Sequence, residues 1–145
     1  MMLRLCTLRR MKMYYFAYAS NLSRKRMLEL CPDAKPKIVA TLPNYKIIFS
    51  GFSRVRKGAE ANIRGSKGDK VIGAVYEITE SCLRKLDKSE ECPVNYKHLN
   101  VIVFTDSDEA FEAVTFIKTR QEEDGKPSPE YLAVIQQGYR DWGII

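Results

Sequence analysis

The sequence has one histidine, His98, and one tryptophan. With a single histidine, Ser-His-Asp and Cys-His catalysis would both hang on one residue. That residue lies inside the apolar strand run YKHLNVIV, where a structural role is expected. The four cysteines, Cys6, Cys31, Cys82 and Cys92, form no C-x-x-C pair. A Cys/His zinc site is therefore not expected, and no metal or organic cofactor is predicted. Nothing else argues for secretion, so reduced thiols in a cytoplasmic protein are the expectation. No G-x-x-x-x-G-K-[ST] or G-x-G-x-x-G follows a strand, which leaves nucleotide-binding loops without support. No apolar run approaches the roughly 20 residues of a membrane-spanning helix. The opening MMLRLCTLRRMKM has no continuous apolar core and no small-residue cleavage site, and does not read as a secretory signal.

A net charge of +6 raises the question of nucleic acid. Four of the positive charges, Arg4, Arg9, Arg10 and Lys12, fall in residues 1–13, which contain no acid, and the body of the chain is nearly balanced. Neither nucleic acid nor membrane is expected as a partner. Residues 1–13 read as an over-called start, with initiation at Met11 or Met13, as a flexible tail or as a partner-binding arm. Residues 14–145 read as a single domain, long enough for one core and too short for two. Oligomeric state is not legible.

MYYFAYA, Met13 to Ala19, has the character of a buried strand. SRKRMLELC follows as a helix, with Ser23 as N-cap. KIVATL and YKIIFSGF read as two strands broken at Pro43-Asn44, EANIRG as a short strand, and KVIGAVYEI as a longer one. Thr79 caps a helix over ESCLRKLD. YKHLNVIVFT and AFEAVTFIKT form a hairpin across DSDE, which explains Asp106, Asp108 and Glu109 without a metal. Ser128 followed by Pro129 starts a last helix, EYLAVIQQGYRDW. RQEEDGKPSP before it is the longest candidate flexible loop. The pattern predicts an α+β fold: a mixed, mainly antiparallel sheet, closed into a small barrel and flanked by about three helices.

Two stretches carry candidate chemistry. The turn Ala19-Ser20-Asn21 lies between a strand and a helix, where successive backbone N–H groups could receive an anionic oxygen; an ordinary Ser/Asn turn is the alternative. LDKSEE, Leu86 to Glu91, places carboxylates directly after a short helix, where one at a pocket edge could have a raised pKa and act as a base; a charged loop is the alternative. Arg54, Arg56 and Lys57 read as solvated surface, or as cations that meet a leaving-group carboxylate.

The order of YFAYASNL, VIGAVYEI leading to LRKLDKSEE, Tyr96, and PSPEYLAVIQQG resembles the gamma-glutamylcyclotransferase family, which includes the AIG2-like proteins, from about Tyr14 to Gly143. That resemblance implies the barrel fold and release of 5-oxoproline from a small gamma-glutamyl substrate. It implies Glu90 as general acid/base, with Tyr18, Ala19, Ser20 and Asn21 as the substrate loop and Tyr96 and Tyr131 as hydroxyls on the pocket wall. A different gamma-glutamyl lyase or transferase, or a non-catalytic binder of small carboxylates, could share the scaffold. Two positions depart from the family pattern: Ala19 stands where the loop has glycine, and Glu91 where glycine follows the glutamate. If the loop needs positive φ, Ala19 would strain it by about 1 kcal/mol. Glu91 would set a second negative charge beside Glu90.

Overall fold

In MYYFA the side chains alternate between two apolar clusters, as strand geometry requires. Tyr15 and Ala17 join one cluster, and Phe16 and Tyr18 the other. This is β1 (Met13–Ala17) of a computed structural model that describes residues 12–145. The readings of residues 1–13 lie outside the described residues except at Lys12 and Met13, and Met13 already pairs with Ile78.

β1 runs antiparallel to β3 (Gly58–Ile78), which pairs along its length with β2 (Lys35–Ser53). β2 touches β4 (Tyr96–Phe104), β4 forms a hairpin with β5 (Ala110–Lys118), and β5 returns parallel to β1 at Val114 and Tyr15. The sheet closes into a barrel in the order β1-β3-β2-β4-β5. The cluster containing Phe16, Leu42, Ile63, Val75, Val103 and Ala113 draws on all five strands and fills the barrel. The other cluster packs Tyr76, Phe116 and Trp142 under the helices. Those helices are α1 (Arg24–Leu30), α2 (Glu80–Ser89) and α3 (Pro129–Asp141), capped by Ser23, Thr79 and Ser128. The cap hydroxyls accept from the N–H groups of Arg26, Cys82 and Tyr131.

Three expectations need correction. The break at Pro43-Asn44 is a bulge inside one strand: Asn44 takes φ 64, and the pairing steps from Pro43–Lys70 to Tyr45–Gly65. Extra residues on β3 absorb the proline's missing donor while the ladder continues, so four predicted strands are two. Cys31 and Cys82 form a disulfide rather than two free thiols. The end of α1 and the first turn of α2 bring their Cα atoms to 5.5 Å, within the range a bridge needs. The loop after β5 is fastened rather than free. Gly51 N–H donates to Glu123 O, Gly125 N–H to Phe49 O and Ala59 N–H to Lys126 O.

That fastened loop delivers α3, which packs on the backbone after β1 at Gly138. A Cβ there would collide with Leu22 Cβ and come within 2.7 Å of Ser23 N. Gly138→Ala is therefore expected to destabilise the protein by about 1–3 kcal/mol, read from the midpoint of urea unfolding.

Candidate active site

β1 ends in a single 3-10 turn, Ser20–Leu22, whose three residues are buried. Two side chains fasten its carbonyls. Tyr76 Oη donates to Asn21 O at 3.0 Å, and Trp142 Nε1 to Leu22 O at 2.9 Å. The first bond inside the turn runs from Leu22 N–H to Ala19 O at 3.1 Å. In such a turn the leading amides, here those of Ser20 and Asn21, have no internal acceptor. Ala19, which precedes them, has φ −134.

The turn forms one wall of a small, partly enclosed cavity. All seven sequence-predicted residues, Tyr18, Ala19, Ser20, Asn21, Glu90, Tyr96 and Tyr131, line it. Tyr15, Glu60, Ala61 and Phe116 also line it and were missed. Arg56 lines it too, correcting its reading as solvated surface, whereas Arg54 and Lys57 are exposed. Tyr15 stands two and four residues before Ala17 and Ala19 in MYYFAYA, a strand spacing that was a signal for it. Glu60 and Ala61 carried none, since they reach the site through long-range pairing.

The tyrosines divide by where their protons go. Tyr18 donates to Phe116 O at 2.7 Å and Tyr96 to Ala61 O at 2.6 Å, so both protons are used within the protein. Tyr131 Oη instead accepts from Ala61 N–H at 3.1 Å, and Tyr15 Oη accepts from Asn21 Nδ2 at 3.0 Å. Those two keep a hydrogen to offer. Burial pushes all four phenols up, with the Glu90 charge raising them further, so they serve as neutral hydroxyls.

Glu90 follows the last residue of α2, its N–H donating to Leu86 O. Its Oε1 accepts from Asn21 Nδ2 at 3.3 Å, joining residues 69 apart in sequence. Burial raises its pKa above the ordinary glutamate value; Arg56 and Arg26 oppose this, Glu60 adds to it, and the Asn21 bond opposes it. Glu60 is itself held by Lys118 Nζ at 3.3 Å and Asn95 Nδ2 at 3.1 Å. Arg56 Nη2 donates to Ser20 Oγ at 3.3 Å, and its guanidinium lies 4.7 Å over the Tyr131 ring. The arrangement is a proton acceptor between a set of N–H and O–H donors.

His98 plays no part in this wall. It lies at the edge of β4, with Nε2 2.5 Å from Asp87 Oδ1. Asp87, Cys92 and His98 are the one group of potential metal ligands among the described residues, within 4.8 Å of one another and outside the cavity lining.

Residues 70–144 match the AIG2-like family. The gamma-glutamylcyclotransferase of Homo sapiens is 32% identical over 135 residues, which covers 90% of this chain and 71% of the relative. The chain belongs to the gamma-glutamylcyclotransferase family. The Bos taurus gamma-glutamylcyclotransferase is 33% identical over the same share of each chain. A solved structure titled gamma-glutamyl cyclotransferase superposes with a TM-score of 0.87 at 30% identity, covering 92% of this chain and 82% of the other.

Against the gamma-glutamylcyclotransferase pattern, the two departures now have a physical account. Ala19 has φ −134, so the turn demands no left-handed residue there, while its ψ of −122 lies outside the common extended and helical regions. Glu91 does stand left-handed, at φ 53, but it is exposed, and the cavity lining does not include it. Its cost is conformational. Relief of about 1–2 kcal/mol of left-handed strain exceeds the roughly 0.4–1 kcal/mol by which glycine stabilises the unfolded chain. Glu91→Gly is thus expected to stabilise the protein by up to about 1 kcal/mol, measured by denaturant unfolding, and to leave turnover unchanged.

Proposed function

We propose that the protein is a gamma-glutamyl cyclotransferase, releasing 5-oxoproline from a gamma-glutamyl amino acid or amine. The observation that carries this reading is the Glu90 carboxylate on the cavity wall, raised in pKa by burial and aimed by Asn21. Glu90 takes a proton from the substrate's alpha-amino group. The freed nitrogen attacks the gamma-carbonyl of the same molecule and closes a five-membered lactam. Glu90 then returns the proton to the departing nitrogen as the C–N bond breaks.

Nucleophile and electrophile are already joined, so the protein's task is to hold a near-attack conformer, which can contribute on the order of 7–11 kcal/mol. The Ser20 and Asn21 amides anchor the substrate carboxylate, and the Tyr131 hydroxyl supports the developing oxyanion. A donor of that kind is worth roughly 3–4 kcal/mol in a comparable site. Tyr96 shapes the wall and acts through Ala61, since its proton is committed there. A non-catalytic binder on this scaffold is opposed by the Glu90 carboxylate and the Ser20-Asn21 turn, which line the same cavity. No helix of the described residues is long and apolar enough to cross a membrane. We propose a cytoplasmic location, with the Cys31–Cys82 bridge as the observation set against it; cell fractionation decides between them.

The test is 5-oxoproline release from gamma-glutamyl amino acids and amines by wild type and Glu90→Gln. Release should fall by roughly 10²–10⁴-fold in the variant; undiminished release would sink the assignment. The acid limb of kcat/KM should lie above the ordinary glutamate value of 4.5. The same shift makes a stability prediction. Because the folded state favours the protonated acid, the contribution of Glu90 is fully present below 4.5 and is lost as pH rises through its folded value. Glu90→Gln should therefore be more stable than wild type at neutral pH, and the gap should close in acid. Thermal melts across pH measure it.

A further inference from the structure

The cavity holds two carboxylates and one arginine in its lining, and they are not equivalently occupied. Glu60 is satisfied by Lys118 and Asn95, and Lys118 is in turn shared with Glu122 at 2.7 Å. Arg56 makes no ion pair with any described residue. Its side-chain partners are a hydroxyl, Ser20 Oγ, and the face of Tyr131. Stacking on an aromatic face fixes the guanidinium plane and leaves its other N–H groups available in the fork that matches a carboxylate.

Position decides which carboxylate that is. Arg56 comes from the turn between β2 and β3, whose neighbours Arg54, Val55 and Lys57 are exposed, so it stands at the mouth. The closed end is walled by buried residues, Tyr15, Tyr18, Asn21 and Phe116. Every gamma-glutamyl substrate shares the glutamyl part, which suits the closed end, and the amine that leaves must point to the mouth.

Resting on the cyclotransferase reading, we propose that Arg56 is the residue that selects the leaving group: it receives a carboxylate on the departing amine. The favoured substrates are then amides of amino acids or peptides whose carboxylate lies close to the scissile nitrogen, rather than amides of simple amines. Lys118 offsets part of the charge of Glu60, the other carboxylate of the lining. Arg54, two residues earlier and exposed, has no part in selection.

A matched pair of substrates tests this: gamma-glutamyl-alanine, and gamma-glutamyl-ethylamine, which lacks only the carboxylate. Wild type should favour the first by roughly 10- to 100-fold in kcat/KM, the range of a charge-assisted hydrogen bond. Arg56→Gln should bring the ratio of kcat/KM for the two substrates close to one; any influence of the lost charge on Glu90 acts on both substrates alike and leaves that ratio untouched. Arg56→Lys should fall between them, and Arg54→Gln should match wild type. Equal losses on both substrates in Arg56→Gln would overturn the proposal, since the arginine would then serve the glutamyl part or the fold. So would a wild type that does not distinguish the pair. In both those cases 5-oxoproline is still released, and the cyclotransferase reading stands. Release from neither substrate by folded wild type overturns both.

Discussion

The site depends on one side-chain amide. Asn21 Nδ2 reaches both Tyr15 Oη and Glu90 Oε1. It thereby ties the end of β1 to the end of α2, two elements that share no strand pairing. For that bond to form, the 3-10 turn must present Asn21 inward, which requires Tyr76 and Trp142 to hold the turn's carbonyls. α3 must also lie close enough for Gly138 to meet Leu22. The barrel, the helix pair and the closing helix thus converge on the orientation of one carboxylate. Asn21 Oδ1 and Arg26 Nε are buried with no hydrogen-bond partner among the described residues. Ser50 Oγ is a third such atom, and of the three residues only Asn21 lines the cavity; unsatisfied polar atoms are uncommon in packed interiors.

The electrostatics follow from the same convergence. Glu90 must be basic enough to take a proton and still able to return it, which favours a pKa raised only part-way. Burial raises it, and the two arginines limit the rise. Glu60 adds to the rise, its own charge offset in part by Lys118. The same balance leaves Arg56 as the cation at the mouth.

Much of this was legible in the sequence because it is local. The helix caps at Ser23, Thr79 and Ser128 sit one residue before the helices they start. The apolar, aromatic strand MYYFAYA and the DSDE hairpin also involve near neighbours. The seven site residues were named from ordered motifs that resemble a family, and the fold brings them around one cavity. What stayed hidden is non-local. Pro43-Asn44 looks like a strand break until the partner strand supplies extra residues opposite it. Cys31 and Cys82 look independent until α1 and α2 meet. Ala61 looks like any strand residue, yet its N–H and C=O hold Tyr131 and Tyr96, residues 70 and 35 positions away. Arg56 looked like surface because a basic turn usually is, and only the closed barrel brings it over Tyr131.

The most direct test is a crystal structure of the Glu90→Gln protein with an uncleaved gamma-glutamyl dipeptide bound. The account predicts the substrate's alpha-amino nitrogen within hydrogen-bond distance of the side-chain amide at position 90, and its glutamyl carboxylate on the Ser20 and Asn21 amides. An alpha-amino group held away from that side chain, with the dipeptide seated in the cavity, would contradict it.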